Sequence, residues 1–121
     1  MIVQVYHQDQ TVGHVHVADV YIPDRDFTSE MSACETAYMF TQNIMGSWSM
    51  GPEYADGTVN EDYNPAVTRV VCLPVYNGKQ VGLRSSMMGD VFSVDGAHYL
   101  CRSFGFKKIE TGAERSAPLF Q

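Results

Sequence analysis

The stretch of sequence that decides the fold is Val91-Phe92-Ser93-Val94-Asp95-Gly96-Ala97-His98-Tyr99-Leu100. An Asp-Gly pair between two β-rich runs is typical of a two-residue type I′ turn, which joins the strands of a tight hairpin. Such a turn places Phe92 opposite Tyr99, and an aromatic cross-strand pair of this kind stabilises an antiparallel ladder. The sequence therefore predicts an antiparallel hairpin over about residues 90–102.

Other β-rich runs extend this hairpin into a sheet. The segments 2–6 and 12–17 alternate apolar and polar residues, which is the period of a half-buried strand. Residues 67–83 form a second predicted hairpin around the turn signal Asn77-Gly78. Pro74 places its strand at an edge or a bulge, because proline cannot donate to a ladder. We expect an antiparallel sheet of about five strands.

One amphipathic helix is predicted over about residues 29–45. Thr28 or Ser29 can cap its first turn, and Gly46 ends it. Its apolar stripe recurs at intervals of three and four residues and consists of Met31, Cys34, Tyr38, Thr41 and Met45, with Ala37 and Ile44. The predicted fold class is therefore α+β, with this helix packed on the sheet.

The composition fits one domain. The chain has 121 residues, of which 45% are apolar and 18% charged, enough for one core. We predict a single domain over residues 1–121, with a long ordered loop at about 47–65 and a frayed tail at 111–121. No segment approaches the roughly 20 apolar residues that cross a bilayer, and the first residues lack a basic n-region. We therefore expect no membrane span and a cytoplasmic location.

The three cysteines, Cys34, Cys72 and Cys101, lack a Cys-x-x-Cys spacing. Their number and spacing fit neither a disulfide framework nor a zinc knuckle. Each lies in an apolar stretch of sequence, where a free cysteine behaves as a small buried hydrophobe. The sequence predicts three reduced, buried thiols, and no motif predicts a cofactor.

Charge is distributed unevenly along the chain. Residues 1–62 hold ten acids and one base, for a net charge of −9, whereas residues 63–121 hold four acids and seven bases, for a net charge of +3. An acidic segment repels the phosphates of nucleic acids and attracts a basic protein surface. The pattern therefore argues against general nucleic-acid binding through the first half of the chain. In a simpler interpretation, the acids only keep a small domain soluble.

The 47–65 loop is the candidate partner-binding segment. A stretch of this length without regular structure is unusual in a compact domain and is often functional. Aromatic side chains beside acidic ones can anchor an interface with a basic partner. The candidate partner-binding residues are Trp48, Glu53, Tyr54, Asp56, Glu61, Asp62 and Tyr63. In the alternative interpretation, the aromatic side chains only pin the loop to the core.

Four basic residues form an alternative candidate site, for nucleic acid. They accompany Phe104 and Phe106, and a mixture of aromatic and basic residues can stack on bases and hold phosphates. The four are Arg84, Arg102, Lys107 and Lys108. No recognised nucleic-acid motif surrounds these residues. This favours a simpler interpretation, in which the phenylalanines belong to the core and the lysines form a solvated rim.

His14 and His16 form a further alternative site, for a metal ion. Alternation along a strand places both imidazoles on one face, at a spacing that zinc accepts. A third ligand would have to come from His7 or His98, and no motif supplies it. In the simpler interpretation, both histidines lie on the solvent face of a strand. No residue is predicted to be a catalytic nucleophile or base.

Three short patterns in the chain are similar to those of known sequences. They are Thr41-Gln42-Asn43-Ile44 followed by Trp48, then Arg84-Ser85-Ser86-Met87-Met88-Gly89-Asp90-Val91, and then Ser103-Phe104-Gly105-Phe106. The set resembles small uncharacterised proteins of phages, plasmids and actinobacterial genomes, in which a second serine usually stands where this chain has Met87. The resemblance implies a mobile-element protein and carries over no catalytic residue.

The leading hypothesis is a non-enzymatic protein-binding module of a phage or other mobile element. We expect it to inhibit a host nucleic-acid-handling defence protein by occluding a basic surface, in the manner of anti-CRISPR or anti-restriction proteins. The alternatives are a small nucleic-acid-binding accessory protein and a small metal-dependent enzyme. The edge strand that carries Pro74 is in addition a candidate seam for a homodimer.

Overall fold

Eight strands and one main helix are found in the computed structural model, which describes residues 1–110. They are β1 (Ile2–Asp9), β2 (Gly13–Tyr21), α1 (Glu30–Phe40), β3 (Val67–Arg69), β4 (Val75–Tyr76), β5 (Lys79–Gln80), β6 (Val91–Val94), β7 (Ala97–Arg102) and β8 (Gly105–Ile109). Six strands form one antiparallel sheet in the order β3-β2-β1-β6-β7-β8, and β4 pairs with β5 separately. The α+β prediction is confirmed, with six strands in the main sheet rather than about five. The tail predicted at 111–121 lies outside the described residues.

The β6–β7 hairpin has the register that its turn sequence predicts. Phe92 lies opposite Tyr99, and all four residues of β6 are buried because this strand sits between β1 and β7. Asp95 and Gly96 have φ angles of 49° and 82°, the left-handed conformation that both central residues of a type I′ turn require. Local turn chemistry thus sets the pairing at the centre of the sheet.

The hydrophobic core lies between one face of the sheet and α1. Val3 and Val5 of β1 point to this face and are fully buried. Phe92 of β6 meets Phe106 of β8 edge to face at a centroid distance of 5.1 Å, and Tyr38 of α1 packs against both rings. This edge-on aromatic cluster joins the helix to two strands.

The helix begins at a capping box and ends earlier than predicted. The Ser29 hydroxyl accepts from the Ser32 amide at 3.0 Å, and the Ser32 hydroxyl accepts from the Ser29 amide at 2.9 Å. The predicted end near residue 45 is wrong, because the chain leaves the helix at Thr41, whose hydroxyl bonds to Ser86 at 2.7 Å. No helix in the described part of the chain is long and apolar enough to cross a lipid bilayer.

Only small residues of α1 are fully buried. Its buried side chains are Ala33, Cys34 and Ala37, which allow the helix to lie close to the sheet. The predicted core stripe is therefore partly wrong, since Met31 is exposed and Met45 lies beyond the helix on the surface. These exposed methionines are available for contacts outside the fold.

The 67–83 segment is not one hairpin, so this prediction is wrong. Strand β3 instead pairs with β2 at the edge of the main sheet. Only β4 and β5 pair across Asn77-Gly78, whose φ angles of 51° and 77° fit the predicted turn. Pro74 consequently lies outside the main sheet, and the outer strands of that sheet are β3 and β8 rather than the strand with Pro74.

Candidate functional site

The 47–65 loop is organised around one buried side chain, Asn60. Its Nδ2 donates to the carbonyls of Ser47 at 2.7 Å and Gly51 at 2.8 Å. Its Oδ1 accepts from the Ser47 amide at 2.9 Å and from the Tyr54 hydroxyl at 3.2 Å. One side-chain amide therefore ties together distant parts of the loop. Asn60 is not among the residues predicted from the sequence, because an asparagine in a turn-rich segment carries no local signal for burial.

The carboxylate of Asp62 holds the segment that follows α1. Its Oδ2 accepts from three successive backbone amides, those of Ile44 at 2.6 Å, Met45 at 3.0 Å and Gly46 at 2.7 Å. Consecutive amides that converge in this way form an anion-binding concavity, here filled by the chain's own carboxylate. The arrangement leaves the Ile44 and Met45 side chains 74% and 72% exposed.

A small turn forms the tip of the loop. Glu53 and Val59 form an isolated antiparallel bridge around a turn at Asp56-Gly57, in which Gly57 has a φ of 86°. The Asp56 carboxylate accepts from the Thr58 hydroxyl at 2.7 Å and from its amide at 3.0 Å, which lowers the pKa of Asp56. The tip therefore keeps a charged carboxylate at its turn.

Trp48, predicted as a partner anchor, is instead a core residue. It is 2% exposed, and its indole Nε1 donates to the Arg84 carbonyl at 2.8 Å. Its ring also meets the His7 ring edge to face at 5.9 Å. The interpretation in which an aromatic side chain pins the loop to the core describes Trp48 correctly.

The other predicted loop residues differ in exposure. Glu53, Asp56 and Glu61 are exposed, and so is Tyr63. Tyr54 and Asp62 are half-buried, because both bond to other parts of the loop as described above. The structure thus leaves three carboxylates and one aromatic ring of this set on the surface. Two of the carboxylates, Glu53 and Asp56, line a groove that also contains Arg69 and Lys79.

Arg84 forms an ion pair with the buried Asp90 and is not a free basic residue, although its own side chain is 39% exposed. Its guanidinium donates to both oxygens of Asp90, each at 2.8 Å, and this pairing raises the pKa of Arg84. Asp90 is fully buried and also accepts from the backbone amides of Gln8 at 2.8 Å and Met87 at 2.7 Å. A forked pair with further donors of this kind fixes a loop in place.

The other three bases of the predicted nucleic-acid site lie on the β7–β8 hairpin. Lys107 is opposite Leu100 and Lys108 is opposite Tyr99, so the two lysines alternate between the two faces of the sheet. Arg102 lies next to the turn, at whose tip Phe104 is exposed. Arg102 and Lys107 line one shallow groove with Phe104 and Phe106. Because Arg84 is paired with Asp90 and Lys108 lies on the other face of the sheet, the four bases together do not form one surface.

The predicted metal ligands have different partners. The Nε2 atom of His14 lies 2.8 Å from the Gly89 carbonyl oxygen, whereas Nε2 of His16 lies 2.7 Å from Oδ1 of Asp19. The His16 ring also stacks on Tyr6 at 5.0 Å. Among residues 1–110, no group of three histidine, cysteine, aspartate or glutamate side chains is placed to hold a metal ion.

A serine and a histidine meet inside the fold. Nε2 of His7 lies 3.0 Å from the Ser86 hydroxyl, and Oδ2 of Asp90 lies 3.8 Å from the same nitrogen. In a catalytic triad the carboxylate instead bonds the other ring nitrogen, and the serine faces a substrate. Ser86 is buried and bonded to Thr41. This network is therefore a polar part of the core.

The buried His7 gives the chain a predicted dependence on pH. Burial lowers the pKa of His7 from 6.5 to about 4, although the negative charge of Asp90 acts to raise it. The unfolded chain therefore takes up the proton first, so stability is complete above pH 6.5 and is lost as the pH falls toward 4. Between pH 7 and pH 4.5 the loss through this group is about 2 kcal/mol.

Urea unfolding of the wild-type chain and of the variant His7→Gln, at both pH values, measures this effect. The variant is expected to lose about 2 kcal/mol less than the wild type on acidification, because it lacks the titrating ring. All other carboxylates and histidines are common to both proteins, so their contributions to the pH dependence of stability cancel in the comparison. An equal loss in both proteins would contradict the assignment.

The buried cysteines do not provide a nucleophile. Burial raises the pKa of Cys34 to about 12 and that of Cys101 to about 11, so neither is a thiolate near neutral pH. Cys72 is exposed, which corrects the prediction that all three thiols are buried. All three are free within the described part of the chain.

The three patterns that carry the resemblance meet in the fold. Gln42 of the first pattern donates to the Ser86 carbonyl of the second at 2.9 Å, and Trp48 bonds the Arg84 carbonyl as described above. Ser103 of the third pattern donates to the sulfur of Met88 at 3.0 Å. Residues far apart in sequence thus form one hydrogen-bonded unit, and each pattern has a structural role.

Comparison with protein-family models, with curated proteins and with solved structures finds no match for this chain. The site is therefore interpreted from its own geometry. In the described part of the chain, that geometry contains a rigid acidic loop, a buried polar network and an exposed hairpin tip.

Proposed function

We propose that the chain is a non-enzymatic protein-binding module that occludes a basic surface of its partner. The observation that carries this proposal is the internal bonding of the 47–65 loop, which Asn60 and Asp62 hold in one conformation. A loop held by buried hydrogen bonds presents its exposed side chains in a fixed arrangement. We refer to Ile44, Met45, Glu53, Asp56, Glu61 and Tyr63 as the acidic loop surface.

Rigidity supports binding because it removes part of the entropy cost of association. Each side chain that must be ordered on binding costs about 0.5–1.5 kcal/mol, and a loop that is already ordered avoids a further cost in its backbone. The entropy cost of binding is reduced most directly at Ile44 and Met45, since Asp62 fixes their backbone while their apolar side chains are exposed. They replace Trp48 as the apolar anchors of the interface.

The charge of this segment supports a basic partner. Residues 41–66 contain four acids and no base, and Glu53, Asp56 and Glu61 are exposed. Negative charge on one segment steers association with a positive surface and makes its rate depend on salt. Proteins that handle nucleic acids present such surfaces to phosphates. We therefore propose a host nucleic-acid-handling defence protein as the target, inhibited by a mobile-element protein inside the host cell.

The test is affinity capture from a lysate of a bacterial host at low and at high salt. The wild-type chain is expected to capture a protein at low salt and less of it at high salt. The variant Glu53→Lys/Asp56→Lys/Glu61→Lys is expected to lose at least about tenfold in affinity for that protein, since three attractive charges become repulsive.

A matched control reverses the same number of acids elsewhere. Asp24→Lys/Asp26→Lys/Glu110→Lys has the same net charge as the loop variant and alters exposed positions outside the acidic loop surface. We expect this control to bind as the wild type does. Equal losses in both variants, or no captured protein at either salt concentration, would contradict the proposal.

A further inference from the structure

The tip of the β7–β8 hairpin carries an aromatic side chain that the fold does not use. Phe104 is 99% exposed, between Ser103 and Gly105 at the turn. A large aromatic ring in this position contributes nothing to the core and adds apolar surface in water. Such a side chain is typical of an anchor that a partner molecule buries.

A groove with an apolar wall lies next to the hairpin turn and is lined by Ser103 and Gly105, the two chain neighbours of Phe104. It has a volume of about 530 Å³ and lies between α1, the hairpin and the segment before β6. We call it the helix–hairpin groove, and its main lining residues are Glu35, Tyr38, Met39, Met88, Arg102 and Phe106. Met39 and Met88 are exposed, and methionine side chains adapt readily to an inserted ring.

We propose that the chain forms a two-fold homodimer in which Phe104 of each copy fills the helix–hairpin groove of the other copy. A two-fold interface uses the same patch on both subunits, so the patch must contain both the inserting group and its receptor. This condition is met here, because Ser103 and Gly105, which flank Phe104, also line the groove. The proposal uses residues outside the acidic loop surface and does not rest on the proposed function.

The charges of the groove favour a second copy over a different protein. Glu35 lies on the helix wall and Arg102 on the hairpin wall, and no ion pair within the chain joins these two among the described residues. In a two-fold pair, Glu35 of one copy can face Arg102 of the other, and the reverse contact forms at the same time. The patch thus carries both the inserting ring and a groove, and both members of the proposed charge pair.

The β8 edge of the sheet does not offer an equivalent seam. Strand β8 is an outer strand among residues 1–110, and its exposed Lys107 and Lys108 disfavour pairing with a second β8 because like charges would meet. The proposed dimer is therefore held by side chains around Phe104 rather than by pairing of two β8 strands.

Sedimentation velocity of the full chain over a range of micromolar concentrations tests the proposal. The wild type is expected to sediment as a dimer, and Phe104→Asp is expected to raise the dimer dissociation constant at least about tenfold. Because Phe104 is outside the core, this variant is expected to unfold at the wild-type urea concentration. Tyr76→Asp, at an exposed position on the β4–β5 hairpin, is the control and is expected to remain dimeric.

A mixing experiment separates contacts between copies from contacts within one chain. Glu35→Arg alone places two bases at each contact, and Arg102→Glu alone places two acids there, so each variant is expected to be monomeric. An equimolar mixture restores both opposite-charge contacts and is expected to recover the dimer, which no effect within one chain can produce.

The opposite results overturn the proposal. A wild-type chain that stays monomeric over this range would contradict the proposed dimer. The proposed arrangement of the two copies would be contradicted if Phe104→Asp dimerised as the wild type does. It would also be contradicted if the mixture stayed monomeric.

Discussion

Replacing Asp90 with alanine is expected to lower the free energy of unfolding by about 2–4 kcal/mol, the cost expected when several hydrogen-bond donors lose one buried acceptor. The carboxylate is fully buried and accepts from Arg84 and from the amides of Gln8 and Met87. Its loss leaves two backbone amides without an acceptor and one guanidinium without its counterion. Urea unfolding at pH 7 measures the change.

The partner of the pair provides an internal check. Arg84→Met leaves the buried Asp90 charge uncompensated, and we expect the double variant Arg84→Met/Asp90→Ala to lose less stability than the two single losses together. Asp24→Ala removes an exposed carboxylate and is expected to change stability by less than about 0.5 kcal/mol. If Asp90→Ala changed stability as little as Asp24→Ala does, the pair would not hold the loop.

Replacing Asn60 with alanine is expected to lower the free energy of unfolding by about 2–3 kcal/mol, because its partners keep their positions but lose their hydrogen bonds. Both the amide and the carbonyl of Ser47 bond to this one side chain. Urea unfolding measures the loss of stability. Hydrogen exchange of the Ser47 amide is expected to become faster, since its acceptor is gone.

Two variants at asparagine positions sharpen this prediction. Asn60→Asp keeps the size of the side chain but turns a donor toward the Ser47 and Gly51 carbonyls into an acceptor, so a loss at least as large as that of alanine is expected. Asn64→Ala, in the same loop, removes an acceptor for the Ala66 amide and is expected to cost less than about 1 kcal/mol. Similar losses for Asn60→Ala and Asn64→Ala would show that Asn60 does not organise the loop.

The central hairpin could be predicted from the sequence because its signal is local. Asp95 and Gly96 adopt the left-handed conformation by themselves at low cost, and the register of β6 and β7 follows from the two-residue turn. The helix start could be predicted for the same reason, since Ser29 caps amides within its own turn. Turn and cap chemistry need no distant partner.

The end of the helix and the pairing of β3 could not be predicted, because distant residues determine both. Thr41 leaves the helix where it meets Ser86, and Asp62 then binds the amides of residues 44–46. Strand β3 pairs with β2 rather than with its sequence neighbour β4, across about 50 residues of chain. A periodic pattern contains no information about such contacts.

The candidate loop could be located, but the roles of its residues could not. Turn formers and acids marked the 47–65 segment, whereas nothing in the sequence distinguishes the buried Trp48 from an exposed anchor. The sequence predicts Ile44 and Met45 inside the helix, whereas their backbone amides donate to the distant Asp62 and their side chains are exposed. Burial is a property of the assembled fold.

The position of β1 in the sheet has a consequence for synthesis of the chain. This strand pairs on one side with β2, which follows it directly, and on the other side with β6, where Val3 meets Val94. The β1–β2 hairpin therefore keeps one open apolar edge on the ribosome until β6 has emerged, and closing so long a loop slows folding. Nascent chains that stall before β6 are the species for which we expect aggregation and binding by chaperones.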